Sequence, residues 1–165
     1  MKWIKYTILI LTPLALTLLD TAFFSNLTIK HASIISVFQF LIILSLIANV
    51  RNCLIFAAFS VFFFSIFSSL PLWLIFILFF ILPSLILYLR KSHLPLPSVL
   101  RSTILFVMCN FVFEMILLLY YRQWSRAGFS VFYYFILINS AVGVLLYYIF
   151  HLFIGMSTRD GRIKG

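Results

Sequence analysis

Acidic residues are almost missing from this sequence, since 165 residues include only 3 Asp or Glu beside 12 Lys or Arg. Charged residues make up 9% of the chain, whereas an ordinary soluble domain carries roughly 25% and uses them to cover its core. Hydrophobic residues reach 65% and the mean hydropathy is +1.21. Lipid rather than water must surround most of this surface, so we predict an integral membrane protein.

Cysteines and catalytic motifs are equally scarce. Cys53 and Cys109 are too few for a disulfide framework, and they lack the spacing of metal ligands. The sequence contains no nucleophile elbow, no His-Glu-x-x-His, no phosphate-binding glycine loop and no pair of neighbouring carboxylates. We therefore expect no enzyme activity, no cofactor and no metal site.

The basic residues give a net charge of +9, a value that would also suit a nucleic-acid-binding protein. They occur singly or in small groups that flank apolar segments, as Lys2 and Lys5 do at the start of the chain. This distribution is typical of membrane insertion and argues against nucleic-acid binding. Membrane lipids are the expected surroundings.

Six apolar segments approach the roughly 20 residues that a helix needs to cross a bilayer. We predict one membrane-embedded domain, 1–165, folded as an all-α bundle of about six transmembrane helices. The weakest boundary is at residues 68–71, where two serines and a proline predict a tight hairpin; one long kinked span, giving five crossings, is the alternative. The predicted spans are 6–24, 32–50, 53–70, 72–89, 100–121 and 129–154.

Orientation follows from the distribution of Lys and Arg between the two sides of the membrane. With six spans and the N-terminus inside, nine basic residues fall on the inner side and three on the outer side. This excess predicts that both termini are cytoplasmic, in a multi-pass protein of the bacterial inner membrane. The inner set is Lys2, Lys5, Arg51, Arg90, Lys91, Arg101, Arg159, Arg162 and Lys164, and the outer set is Lys30, Arg122 and Arg126.

Glu114 is the most informative polar residue, because it lies inside the fifth predicted span. An ionisable group there costs about 2.5 to 3.5 kcal/mol unless it is paired, protonated or facing a polar interior. Asn110, Thr103 and Tyr121 share its helical face, so we expect this stripe to face other helices.

Asn139 in the sixth predicted span, Asp20 near the end of the first and Gln39 in the second are the other polar candidates within the apolar segments. In a functional interpretation, Glu114, Asn110 and Asn139 line a small polar pocket or bind a partner's transmembrane helix. In a structural interpretation they form interhelical hydrogen bonds that hold the bundle together. Both interpretations remain open at this point.

Five features of the chain resemble the MreD family, the small membrane component of the bacterial rod-shape complex. They are the Met-Lys-Trp start that opens directly into the first span, residues 19–24 (LDTAFF), 68–72 (SSLPL), 113–118 (FEMILL) and 139–148 (NSAVGVLLYY).

The resemblance implies a fold similar to the S-components of energy-coupling-factor importers. It also implies a non-enzymatic scaffold of the elongation complex that docks MreC, a single-span protein, and links it to peptidoglycan synthesis. MreB, RodA and a penicillin-binding protein are further implied partners. The alternative function is the substrate-binding membrane subunit of an energy-coupling-factor importer, which has a similar size and six spans. Such a subunit needs a polar pocket built from outer loops and span ends.

Overall fold

The computed structural model describes residues 2–24, 32–92, 99–122 and 125–160, and within these ranges the chain is helical with no strand. Two π-helical turns interrupt the helices: Asp20–Phe24 follows the first helix, and Ile77–Ile81 joins the fourth to the fifth. The helices of the described part are α1 Lys2–Leu19, α2 Ser36–Ile47, α3 Val50–Phe67, α4 Leu72–Phe76, α5 Leu82–Ser92, α6 Val99–Tyr121 and α7 Arg126–Asp160.

Four of these helices are long and apolar enough to cross a membrane. Two further apolar helical stretches are shorter: Ser36–Ile47 and Leu72–Tyr88. The predicted helical class is therefore confirmed for the described residues, together with four helices that are long and apolar enough to span a membrane. The four long stretches are Tyr6–Phe23, Val50–Phe67, Ser102–Tyr121 and Gly128–Leu152.

The second predicted span, 32–50, is shorter as a helix than the sequence suggested. Its helix is α2, with 12 residues, or about 18 Å at 1.5 Å per residue, against a hydrocarbon thickness of about 30 Å. Ile35 and Ala48, at the two ends, both leave the helical backbone conformation. Before α2, backbone groups of residues 33–35 bond to a side chain of α7 instead of continuing a helix.

Helix α2 lies at the centre of the bundle, in contact with α1, α3, α5 and α7. Fully buried residues occur on every face of α2, among them Phe38, Leu41, Ile42 and Ser45. A helix with apolar residues on every side belongs in an interior, and most residues of α2 are buried against its neighbours. The long helices expose much of their apolar surface, as lipid-facing helices do.

Phenylalanine rings hold α2 against its neighbours. The Phe38 ring on α2 lies 4.4 Å from the Phe113 ring on α6 and 5.9 Å from the Phe79 ring in the second π-helical turn, measured between centroids. Phe113 also stacks on Phe135 of α7 at 5.7 Å. Aromatic pairs at such distances add about 0.5 to 1.5 kcal/mol beyond the burial of their area, so some of the phenylalanines interleave in the core.

Residues 68–71 separate α3 from α4, where the sequence predicts a hairpin. Pro71 has extended backbone (φ −66°, ψ 144°) and its carbonyl accepts from the amide of Leu74 at 3.0 Å. The backbone amide of Leu70 donates to the Ser68 hydroxyl at 3.1 Å. Helices α3 and α4 then pack against each other, so the chain reverses here and does not form one kinked helix.

The π-helical turn Ile77–Ile81 has a cause in the sequence. Pro83 has no backbone N–H, and in a regular α-helix its ring would clash with the carbonyl of Phe79. The amide of Leu82 instead donates to Ile77, five residues earlier, which widens the turn before the proline. The helical path from Leu72 to Ser92 therefore continues past a residue that would otherwise break it.

The remaining helix ends differ from the predicted spans by a few residues. Helix α3 begins at Val50 and ends at Phe67, three residues earlier at each end than the predicted 53–70. Helix α7 extends beyond the predicted 129–154 in both directions, because polar residues continue a helix beyond the apolar stretch that a bilayer requires. Helix α6 begins one residue before the predicted 100–121.

Candidate functional site

The first polar contact of the interior joins Asp20 to the start of α2. One carboxylate oxygen of Asp20 accepts from the backbone amide of Ser36 at 2.8 Å and from its hydroxyl at 2.5 Å. The other oxygen accepts from the amide of Val37 at 3.0 Å. The first amides of a helix have no partner within it, and the residue before α2 is Ile35, whose side chain cannot accept a hydrogen bond. Asp20 therefore caps a helix that begins sixteen residues later.

The position of Asp20 depends on the end of α1. Thr17 bonds through its hydroxyl to the carbonyl of Pro13 at 2.7 Å and is fully buried, so this face of α1 points into the bundle. The chain then enters the π-helical turn at Asp20. The carboxylate is 7% exposed, and a negative charge at a helix N-terminus is favoured by the helix dipole.

Asn139 on α7 holds the segment that precedes α2. Its side-chain oxygen accepts from the amide of Ile35 at 2.9 Å, and its side-chain nitrogen donates to the carbonyl of Ser33 at 3.0 Å. The same nitrogen donates to the carbonyl of Phe135 within α7 at 3.1 Å. Asn139 thereby satisfies backbone groups that an extended segment would leave unpaired inside the protein.

Gln39 is the central residue of the polar interior. Its side-chain nitrogen donates to the oxygen of Asn110 on α6 at 2.7 Å and to the oxygen of Asn139 at 3.4 Å. The nitrogen of Asn110 donates back to the Gln39 oxygen at 3.4 Å, to the Ser140 hydroxyl at 3.3 Å and to the carbonyl of Phe106 at 2.9 Å. Gln39, Asn110 and Asn139 are fully buried. We call these three residues the amide cluster; it links α2, α6 and α7.

Gly143 makes room for the amide cluster on α7. A Cβ atom at this position would lie 2.5 Å from a ring carbon of Phe106 and 2.6 Å from the side-chain oxygen of Gln39. Both distances are shorter than any real contact of a Cβ atom. Only glycine lets α7 approach α2 and α6 this closely, in the way that small residues permit close helix packing in membranes.

Glu114 lies in a different place, in a cavity of about 160 Å³ between α6 and the start of α7. Four of the lining residues follow one face of α6 at helical spacing, and two come from α7. Neither Asn110 nor Asn139 is among them. The described lining residues are Glu114, Leu117, Leu118, Tyr121, Gly128 and Val131; we call this space the Glu114 cavity.

The structure therefore divides the predicted site residues into two groups. Asn110 and Asn139 are joined through Gln39, and Asp20 caps the same helix that carries Gln39. Glu114 lines a separate cavity whose described lining includes neither Asn110 nor Asn139. Asp20, Asn110 and Asn139 each make hydrogen bonds to another element of the bundle.

Sequence reasoning did not assign partners to Asp20 or Asn139. Ser36 bonds to Asp20 through its hydroxyl, and a serine beside an apolar run is a weak signal for such a cap. The groups that Asn139 binds, Ile35 N–H and Ser33 C=O, belong to the backbone, and no side-chain pattern reveals them. Gln39 was visible as the main polar residue of its segment, but its two partners were not.

The site has few groups for covalent chemistry. Among the residues that the structure describes, no three His, Cys, Asp or Glu side chains gather closely enough to hold a metal ion. Cys53 and Cys109 are buried and take part in no disulfide bond. What the arrangement can do is hold helices together through neutral amides and one carboxylate, and offer a second carboxylate at the Glu114 cavity.

Fold and site together define a helical membrane protein with a hydrogen-bonded polar interior. Comparison with known proteins adds no closer assignment, since no family model, no curated protein and no solved structure matches the chain.

Proposed function

We propose that this protein is a non-enzymatic scaffold of the bacterial rod-shape complex, as its resemblance to the MreD family implies. The proposal rests on one observation: the buried side chains of the amide cluster form hydrogen bonds within the protein. Gln39, Asn110 and Asn139 bond to one another and to the backbone, so the interior is devoted to helix association. A rigid bundle with apolar outer faces suits docking of another transmembrane helix.

The proposal includes six crossings of the bacterial inner membrane with both termini in the cytoplasm. The helical path from Leu72 to Ser92 measures about 31 Å at 1.5 Å per residue, which is close to the thickness of the hydrocarbon region. Helix α2 crosses the same region together with the short extended segments at its ends. The distribution of basic residues, nine against three, supports this orientation.

The proposed partner is an MreC-like single-span protein, whose helix docks against the bundle without any chemical turnover. Through it the complex includes MreB, RodA and a penicillin-binding protein, and side-wall peptidoglycan synthesis stays organised. The fold proposed for this scaffold is similar to that of S-components, which the MreD resemblance also implies.

The alternative, a substrate-binding subunit of an energy-coupling-factor importer, has less support. Small-molecule sites commonly occupy about 300 to 1,000 Å³ and combine apolar walls with a few convergent polar groups. The Glu114 cavity is about 160 Å³, and Asn110 and Asn139 do not line it. A molecule of vitamin size therefore needs a site other than this cavity.

Co-purification tests the proposal. The full-length tagged protein is expressed in its own host, extracted in a mild detergent and analysed for bound proteins by mass spectrometry. We expect an MreC-like single-span protein in near-stoichiometric amount, together with RodA or the penicillin-binding protein. Recovery of the folded protein with an importer's ATPase subunits, or with a tightly retained small molecule and no cell-wall protein, would show that the scaffold proposal is wrong.

A further inference from the structure

Glu114 has an unusual environment within the described part of the chain. Its side chain is half-buried, and it makes no hydrogen bond or ion pair with any residue that the structure describes. The other carboxylate of the interior, Asp20, accepts three hydrogen bonds. A carboxylate without partners inside a membrane protein is costly, and such groups are usually paired or functional.

The Glu114 cavity extends along α6 from Glu114 toward the end of the helix. Glu114 and Tyr121 both line it and are separated by seven residues of α6, or roughly 10 Å along the helix axis. Tyr121 is the last residue of α6 and is exposed. The walls between them are made by Leu117, Leu118 and Val131. The cavity thus has an acidic group at one end, the helix terminus at the other and aliphatic side chains between them.

We propose that the Glu114 cavity receives the ammonium group of a lysine from a partner's transmembrane helix. A lysine carries its charge on a flexible aliphatic stem that packs well along apolar surface. The Leu117, Leu118 and Val131 walls fit the stem, and the Glu114 carboxylate fits the ammonium. The inference deepens the proposed function, since it gives the chemistry by which the partner helix is recognised.

Lysine fits the Glu114 cavity better than arginine does. A guanidinium has five N–H donors in a fixed plane, whereas an ammonium has three that can rotate. Among the described residues that line the cavity, only Glu114 and Tyr121 have polar side chains. An ammonium therefore leaves fewer donors without an acceptor, and the cost of burying the cation is smaller.

A lipid amine is the less suitable occupant. The amine of a phospholipid headgroup stays at the membrane surface, because its phosphate and glycerol are held there. Glu114 lies roughly 10 Å from the end of α6. A side chain descending from a helix that runs beside α6 reaches this depth, and a headgroup does not.

The test needs no partner in its first arm. The purified full-length protein is placed in phosphatidylglycerol vesicles, which contain no ammonium group, and is treated with dicyclohexylcarbodiimide, a membrane-permeant reagent for carboxyl groups. Mass spectrometry reads the total modification of Glu114, as the N-acylurea or as the amide or ester formed with the additive, with Asp160 as an internal reference among only three acidic side chains. We expect n-butylammonium, a stand-in for the lysine side chain, to reduce Glu114 labelling about tenfold and n-butanol to leave it unchanged.

A carboxylate outside the cavity supplies the matched control. Leu119 lies on the same helix, is 55% exposed and does not line the cavity. In the double variant Glu114→Gln, Leu119→Glu, the new carboxylate is labelled but n-butylammonium does not protect it. Equal protection at Leu119→Glu and at Glu114, or no protection at Glu114, would overturn the proposal. Protection of Glu114 by phosphatidylethanolamine vesicles alone would assign the site to lipid and would overturn it as well.

The second arm uses the co-purified complex. Dicyclohexylcarbodiimide, the membrane-permeant reagent of the first arm, joins a carboxylate and a lysine amine in contact as an amide, with the lost water taken up by the carbodiimide as it becomes a urea. We expect a cross-link between Glu114 and one partner lysine, absent in Glu114→Gln. A complex that forms without this cross-link contradicts the lysine assignment and leaves the scaffold proposal standing. Protection by n-butylammonium without any recovered partner contradicts the scaffold proposal and leaves the ammonium site standing.

Discussion

Gln39 donates a hydrogen bond of 2.7 Å to Asn110 from the centre of a bundle that is otherwise largely apolar. The two residues lie 71 positions apart in the chain, and both are fully buried. Their contact fixes the rotation of α2 relative to α6, because a shift of either helix would leave an amide without a partner in an environment that offers no water. This contact and the neighbouring ones lead to three predictions, and the distribution of basic residues leads to a fourth.

The Gln39 and Asn110 side chains should behave as a coupled pair. We expect Gln39→Leu and Asn110→Leu each to lower the free energy of unfolding by about 1 to 3 kcal/mol, since each leaves buried polar groups unpaired. The double variant should cost less than the sum of the single variants by at least about 0.5 kcal/mol. Unfolding by sodium dodecyl sulfate in mixed micelles measures all four members of the cycle, and strict additivity would contradict direct coupling.

Asp20 should stabilise the start of α2. Removal of its carboxylate in Asp20→Ala leaves the amides of Ser36 and Val37 without an acceptor, at a cost of about 1 to 3 kcal/mol. Thr12→Ala on α1, the helix that precedes Asp20, is the control, because the Thr12 hydroxyl is exposed and bonds within α1. The same detergent titration measures both variants, and equal stability of the two would show that the Asp20 cap has no energetic role.

Gly143→Ala should destabilise the protein, although the same change in an ordinary helix usually stabilises it by about 0.5 to 1 kcal/mol. The new methyl group would meet Phe106 and Gln39 at distances near 2.5 Å, and overpacking of this kind costs about 1 to 3 kcal/mol. A second change, Phe106→Leu, should relieve part of the loss by removing the ring atoms from the contact. A higher thermal midpoint for Gly143→Ala alone would contradict the close approach of these helices.

The orientation proposed for the chain is testable with reporters. A phosphatase fused after Gly165 should stay inactive and a fluorescent protein at the same place should fold, because both require the C-terminus in the cytoplasm. A phosphatase fused after Arg122 should be active on the outer side. Activity of the phosphatase at Gly165 would contradict the count of six crossings with a cytoplasmic N-terminus.

The sequence predicted the helical class well and the α2 region less well. Helix α6 begins at Val99 and ends at Tyr121, within one residue of the predicted 100–121, because a long apolar run bounded by polar residues defines its own ends. For the predicted span 32–50, the sequence gives no sign that the first residues are not helical. Their backbone groups are satisfied by Asn139, more than 100 residues away.

The polar stripe expected on α6 faces other helices, but its residues do not share one neighbour. Asn110 and Glu114 are four residues apart, and helical periodicity places them on one side of the helix. Asn110 nevertheless bonds to Gln39, whereas Glu114 lines a cavity with α7. One turn of helix is enough to move from one neighbouring element to another, and the identity of that neighbour is not contained in the period.

The amino-acid sequence by itself determined that the chain is helical and surrounded by lipid, because composition and the lengths of apolar runs depend only on local chemistry. It also marked Asp20, Gln39, Asn110, Glu114 and Asn139 as residues that need an explanation, since polar groups are costly in an apolar medium. Only the tertiary structure decided which of them pair. Four of them, Asp20, Gln39, Asn110 and Asn139, form hydrogen bonds between α2 and neighbouring elements. Glu114 forms none with the residues that the structure describes. The pairs depend on the tertiary structure because helix packing brings together residues that lie far apart in the chain.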